Sequence, residues 1–179
     1  MDKTLYLFKL LSVLLQYPTC YLREIALLKE ELTGMLTAED VVVKKHLDTF
    51  FAYVESGNAE DICEEYVQTF DVAEKTTLYL TYPMYGDERE RGETLVKLKA
   101  MYRDSDCFIK GEELPDYLPL ILEYVSVAPQ EGAGKVLKLF KKPIHQLQLE
   151  LESQNSPFAA VIELVKYLLN QWQATEKAS

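Results

Sequence analysis

The sequence has no Cys-x-x-Cys pair, and its three cysteines, Cys20, Cys63 and Cys107, are widely scattered. A zinc knuckle and a thioredoxin-type dithiol site are thereby excluded, and free thiols in a reducing cytoplasm are expected. Histidine is equally sparse. His46 and His145 stand far apart, neither with a metal-ligand companion nearby, so neither a Ser-His-Asp nor a Cys-His arrangement suggests itself. Positive charge is also short, with 19 Lys+Arg against 29 Asp+Glu and a formal net charge of -10. Nucleic acid requires a basic footprint, so this balance argues against it. An acidic surface suits solubility, or a basic peptide or protein partner whose approach it would accelerate.

A long apolar run is missing as well. The opening MDKTLYLFKLLSVLLQYPTC is interrupted by Lys9 and Ser12, and a bilayer span needs about 20 apolar residues. No small-x-small cleavage site follows, and Tyr17-Pro18-Thr19 before Cys20 is a poor lipoprotein signal. Leu7, Leu11 and Leu14 instead make a helical stripe, expected to be the first helix of a cytoplasmic domain with no membrane insertion.

What is present is helical periodicity. At 179 residues and 48% hydrophobic content, the chain suits one domain with a proper core. Residues 1–173 are expected to form a single all-α helical bundle, with a polar tail at 174–179. Thr19 is a candidate cap for a second helix sharing Leu22, Ile25 and Leu28, stopped at Gly34. Thr37 and Asp40 resemble a capping arrangement for a third, with Val43, Leu47, Phe50 and Val54. Asn58 caps a fourth, in which Glu60 and Asp61 favour the macrodipole and Ile62, Tyr66 and Phe70 share a side. Asp87 and Glu90 form a D-x-x-E capping box for a helix through Leu95, Leu98 and Tyr102. A further helix after Pro129 is bent or interrupted at Pro143, and Ser156-Pro157 introduces the last, with Val161, Leu164, Val165, Leu168 and Trp172.

Two segments carry more local information. Thr76 to Tyr82, TTLYLTY, has the composition of a strand but no partner strand, and a lone strand leaves its backbone groups unpaired. A short helix ending at Pro83 is therefore expected. In ELPDYLPLILEY, Glu113 to Tyr124, Asp116 is placed to act as N-cap, with Pro119 at the third helical position, where no N–H is needed. Pro115 stiffens the approach. Leu118, Leu122 and Val125 fall on one side and Glu123 off that line.

Three motifs invite chemistry. EGAGKV, Glu131 to Val136, lacks the first glycine and the final Ser/Thr of a phosphate-binding loop, and its glycines more plainly loosen a helix start. EDICEEYVQTFD, Glu60 to Asp71, offers five carboxylates beside Tyr66 and Phe70, but no Glu-x-x-His motif of a carboxylate-bridged metal site. GDERERGET, Gly86 to Thr94, pairs Arg89 with Glu93 and Glu88 with Arg91, contacts worth ~0.2–0.5 kcal/mol on an exposed face. Gly92 inside that helix costs roughly 1 kcal/mol against alanine, which suggests close packing there. No residue set describes an enzyme, and no metal ligands or cofactor site are expected.

Taken in order, Tyr66-x-x-x-Phe70-Asp71, Gly86-x-x-Arg89-x-Arg91-Gly92 and Glu113-Leu114-Pro115-Asp116-Tyr117-Leu118-Pro119-Leu120, followed by Leu122-Glu123-Tyr124, form a recognisable set. The chain resembles the NarJ-type nitrate reductase assembly chaperones, or delta subunits, within the TorD-like family of redox-enzyme maturation proteins. The likeness spans residues 5 to 173, and LLSVLLQYP is similar to that family's first helix. The resemblance implies an all-helical, non-catalytic protein that binds the immature catalytic (alpha) subunit of nitrate reductase, chiefly through that subunit's N-terminal peptide. It further implies help with molybdenum cofactor insertion into that client, alongside cofactor-delivery proteins, without forming part of the final enzyme. The Asp87-Glu88 loop departs from the family pattern. A groove for an amphipathic basic helix would then be lined by Tyr66, Phe70, Tyr117 and Tyr124 and edged by Asp71, Asp116 and Glu123. Arg89 and Arg91 join these as client-binding candidates, and Gly86, Gly92, Leu114, Pro115 and Pro119 serve as structural motif positions. A chaperone for a different molybdoenzyme, or a client-free helical scaffold, is the alternative.

Overall fold

The computed structural model describes residues 2–178, with side chains through Ala174. Nine α-helices are present among them: α1 (Lys3–Leu14), α2 (Ile25–Met35), α3 (Val41–Ser56), α4 (Ala59–Tyr66), α5 (Tyr82–Tyr85), α6 (Arg89–Asp104), α7 (Leu118–Val127), α8 (Gln130–Ser153) and α9 (Ala159–Ala178). No strand is present among the described residues; a single isolated bridge joins Tyr79 and Tyr117. The architecture is all-α. α9 extends to Ala178, within the segment expected as a polar tail, whose last residue, Ser179, lies outside the described residues.

The apolar stripes read from the sequence do become the core. Leu7, Leu11 and Leu14 of α1 are buried, as are Val43, Leu47, Phe50 and Val54 of α3 and Ile62 and Tyr66 of α4. α1 packs along α7, and α9 lies against both α8 and α3. Asp2 caps α1 by accepting from the Thr4 and Leu5 N–H groups. Asn58 caps α4 through the Asp61 N–H at 3.0 Å. No helix among the described residues is long and apolar enough to cross a membrane.

Several boundaries differ from expectation, each for a local reason. Thr19 caps nothing: the chain leaves α1 through two 3-10 turns, Pro18–Cys20 and Leu22–Glu24, before α2 begins at Ile25. Of α2 only Leu32 is buried, and the helix runs through Gly34, where a Cβ would meet open space. Asp40 holds the turn before α3 by accepting from the Thr37 N–H and hydroxyl, and its side chain makes no bond into the helix. The Asp87–Glu90 box does not form, because α6 starts at Arg89 with Glu88 in the cap place and no side-chain cap bond. α8 runs unbroken through Pro143.

The segment after Thr76 is not helical: Tyr79 sits in an isolated bridge, a turn at Leu80 and Thr81 follows, and Pro83 lies at the start of α5 instead of ending a helix. Its missing partner is the ELPDY run. The Leu80 N–H donates to the Asp116 carbonyl at 3.1 Å, and the Leu118 N–H donates to the Leu78 carbonyl at 2.8 Å. The β-composition of TTLYLTY was therefore meaningful, and its backbone groups are satisfied by a helix approach instead of a sheet.

Asp116 serves that junction too. It is fully buried, and its Oδ2 accepts from both the N–H and the hydroxyl of Thr81. α7 has Tyr117 in the cap place, with no side-chain cap bond, and Pro119 at its second position. Arg91 completes the tie, its Nε donating to Thr81 Oγ1 at 3.2 Å while its guanidinium lies 5.3 Å from the Tyr82 ring centre. Arg89 points away, pairing with Glu93 at 3.2 Å on an exposed face.

Glycine packing reverses the expectation. A Cβ at Gly92 would meet nothing within 4 Å, whereas one at Gly132 would sit 2.6 Å from the Tyr124 hydroxyl and 2.8 Å from Ser105 Oγ. Those two hydroxyls are bonded to each other at 2.8 Å, and the Tyr124 ring lies 4.3 Å from that of Tyr102. Gly132 thus lets the start of α8 close on the ends of α6 and α7. Gly92→Ala is expected to stabilise the fold by about 0.5–1 kcal/mol through helix propensity alone. Gly132→Ala is expected to destabilise it by about 1 kcal/mol or more, overpacking outweighing that gain. Urea denaturation of the two variants checks the opposite signs.

Candidate functional site

The residues singled out in the sequence fall into two places and one interior. Tyr66, Phe70, Asp71 and Tyr117 come together in a narrow cleft of about 160 Å³, joined there by Tyr17, Leu78, Tyr79 and Glu113. Glu123 and Tyr124 line a second hollow, of about 310 Å³, with Phe108, Ile109, Leu120 and Val127. Asp116 is interior, its Oδ1 buried without a hydrogen-bond partner among the described residues. It braces the site from behind and is not on the rim.

The cleft is built by an irregularity. α4 ends at Tyr66 and runs into a π-helical turn, Val67–Val72, a wide turn often found at functional positions. The Thr76 hydroxyl donates to the Thr69 carbonyl that this turn leaves open. Phe70 is thereby turned inward, 5.0 Å from the Tyr66 ring and 4.9 Å from that of Phe158, while Asp71 stays exposed on the outside. The Tyr66 hydroxyl donates to the Leu15 carbonyl and meets the Tyr117 hydroxyl at 3.2 Å. Tyr117 in turn faces Tyr79, ring centres 5.2 Å apart. The bridge between the two runs sets that last pair in place.

Electrostatically the cleft is negative. Burial pushes the Tyr66 and Tyr117 phenols above their ordinary range. Glu113 accepts from the Tyr79 hydroxyl at 2.8 Å, which with burial pushes that phenol up as well. Partial burial raises the Asp71 carboxyl above its usual value. No Lys or Arg lines the cleft.

A third hollow, of about 370 Å³, links the two. It shares Tyr102, Cys107, Phe108 and Ile109 with the Glu123 hollow and Glu113 with the tyrosine cleft, and adds Glu112 and Leu114 together with the cations Lys99 and Arg103. Phe108, 71% exposed, and Val127 are among the most exposed large apolar residues of the fold. Glu123 is bonded to Lys9. Tyr124, only 4% exposed, presents an edge to its hollow and is chiefly a packing residue. Arg89 and Gly92 stand outside all three hollows, and Arg91 works through Thr81. A separate hollow of about 400 Å³ beside Asp2 and Trp172 holds none of the client-binding candidates.

Tyr17, Tyr79 and Glu113 were not among the residues the sequence suggested as lining. The signal for Tyr79 lay in the strand composition of TTLYLTY, whose pairing with ELPDY places it opposite Tyr117. Tyr17, beside the helix-ending Pro18, gave no signal of its own.

The arrangement offers apolar and aromatic surface edged by carboxylates alone at the tyrosine cleft and by charges of both signs at the two larger hollows. Among the described residues no group of three or more His, Cys, Asp or Glu could hold a metal ion, and no nucleophile is paired with a base.

The family described as "Nitrate reductase delta subunit" matches residues 36–172. The Bacillus subtilis protein named "Probable nitrate reductase molybdenum cofactor assembly chaperone NarJ" is 37% identical over 69% of this chain and 67% of its own length. The Escherichia coli K12 "Nitrate reductase molybdenum cofactor assembly chaperone NarJ" is 29% identical over 90% of this chain and 68% of its own. A stretch of the Mycobacterium tuberculosis "Nitrate reductase-like protein NarX" is 35% identical over 56% of this chain but only 15% of that protein. With a family match covering well over half of this all-α chain, the chain belongs to the nitrate reductase delta subunit family.

Proposed function

We infer that this protein is a system-specific chaperone of nitrate reductase assembly. It binds the immature catalytic subunit, chiefly through that subunit's N-terminal segment, and keeps it competent for molybdenum cofactor insertion. It is not an enzyme, holds no cofactor of its own, and leaves the finished complex. It works in the cytoplasm, where cofactor-delivery proteins also reach the client. The names of its relatives support the client and the task.

One observation carries the binding mode. Three hollows that share lining residues combine the Tyr66, Tyr79 and Tyr117 rings and the exposed Phe108 and Val127 with the carboxylates of Asp71, Glu112, Glu113 and Glu123, the cations Lys99, Arg103 and Lys110 lying only in the two hollows away from the tyrosine cleft. An amphipathic basic helix laid into such a groove buries its apolar face and meets opposite charge at its edges. Release follows if the mature subunit no longer presents that segment.

The task is tested in cells grown anaerobically with nitrate. Without this protein, the catalytic subunit should still be made but should be poor in molybdenum, with nitrate-reducing activity down at least tenfold. A normally loaded catalytic subunit in such cells would refute the assembly role. A molybdenum deficit in a different enzyme would move the client and keep the chaperone class.

A further inference from the structure

The tyrosine cleft is too small for a helix and the right size for one side chain, at about 160 Å³. Its walls are mostly aromatic, and aromatic faces attract cations. Its two carboxylates lack positive partners. Asp71 makes no side-chain hydrogen bond or ion pair within the described residues, and Glu113 accepts only from the Tyr79 hydroxyl. Both acids line the cleft together with the Tyr117 ring. An apolar side chain in this cleft would take water from Asp71 and Glu113 and give nothing in return. A cation would satisfy rings and carboxylates together.

Resting on the groove reading above, and adding what occupies this part of it, we propose that the cleft is a guanidinium receptor. It takes a single arginine side chain of the bound segment, against the rings of Tyr17, Tyr79 and Tyr117 and with Asp71 and Glu113 as counter-charges. Guanidinium is favoured over ammonium because it is planar, stacks on aromatic faces, sheds water more readily and presents a fork to carboxylates. Tyr17, 41% exposed and 5.6 Å edge-on from Tyr66, forms the open side through which such a group enters.

The test uses small probes, so it does not depend on which client segment binds. Nα-acetyl-arginine amide, its neutral isostere Nα-acetyl-citrulline amide, and Nα-acetyl-lysine amide are titrated into the full chain while tyrosine ring resonances are followed by NMR. The arginine probe should shift the Tyr17, Tyr79 and Tyr117 signals and saturate in the millimolar range. Citrulline should bind at least tenfold more weakly, and lysine more weakly than arginine. Asp71→Asn, with its fold checked by circular dichroism, should lower arginine affinity at least fivefold and leave citrulline unchanged. Equal binding of arginine and citrulline, tighter binding of lysine, or shifts confined to other tyrosines would each overturn the proposal. A client segment that fails to bind would refute the groove reading without altering these results.

Discussion

Replacing Phe158 by alanine is expected to lower the unfolding free energy by about 3–5 kcal/mol, as for other buried Phe→Ala changes. Phe158 is fully buried in the turn between α8 and α9. Its ring centre lies 5.9 Å from Phe50, 6.1 Å from Tyr53, 5.8 Å from Tyr66 and 4.9 Å from Phe70. Four rings from α3, α4 and the π-helical turn therefore lose one common neighbour. The backbone around it is fixed independently. The Phe158 N–H donates to Ser156 Oγ at 3.3 Å, and its carbonyl accepts from Val161 and Ile162 at the start of α9. The turn cannot readily collapse into the space, which places the cost toward the upper end. Against a typical stability of 5–15 kcal/mol, a thermal midpoint lower by roughly 10 °C is expected for a chain of this size. Because Phe158 supports Tyr66 and Phe70 from beneath, client binding should weaken as well. A loss below 1 kcal/mol in urea denaturation would show that the aromatic cluster is not the keystone of the core.

Tyr117→Ala is expected to do the opposite: a modest change in stability and a large one in binding. Tyr117 is half-buried, and the substitution removes its ring from Tyr79 and its hydroxyl from Tyr66. An aromatic anchor lost from an interface costs ~2 kcal/mol or more, about thirtyfold in affinity. Glu123→Ala provides the contrast. Its side chain is exposed and already bonded to Lys9, so its loss should matter by less than about 1 kcal/mol and mainly at low salt. Calorimetric titration with the catalytic subunit's N-terminal peptide distinguishes the two. Comparable losses for both variants would shift the anchor from the tyrosine cleft to the Glu123 hollow.

The helices were legible because their apolar residues recur at helical spacing, and α1, α3, α4 and α9 bury the side chains that spacing selects. What escaped were features set by partners distant in sequence. TTLYLTY reads as a strand without a mate until ELPDY is brought beside it, and Asp116 reads as a helix cap until Thr81 reaches its carboxylate. Gly92 and Gly132 illustrate the same point. Both are helical glycines, and only the tertiary packing of Tyr124 and Ser105 decides which one must lack a side chain. Within the candidate site, Tyr66, Phe70, Asp71 and Tyr117 were recognisable through family resemblance, and the structure brings these four together. Glu123 and Tyr124 belong to a neighbouring hollow, since helical rotation along α7 turns them away from Tyr117. Phe158 lay hidden in the Ser-Pro break before α9, where no periodicity applies.

As a chaperone of the kind proposed, this chain should hold the catalytic subunit before its cofactor is installed. Recovery of the tagged protein from cells grown anaerobically with nitrate, with molybdenum measured in whatever is bound, tests it directly. The nitrate reductase catalytic subunit is expected to come down in a mostly molybdenum-poor form, and Tyr117→Ala to recover much less of it. Recovery of fully loaded enzyme, or of no redox enzyme at all, would contradict it.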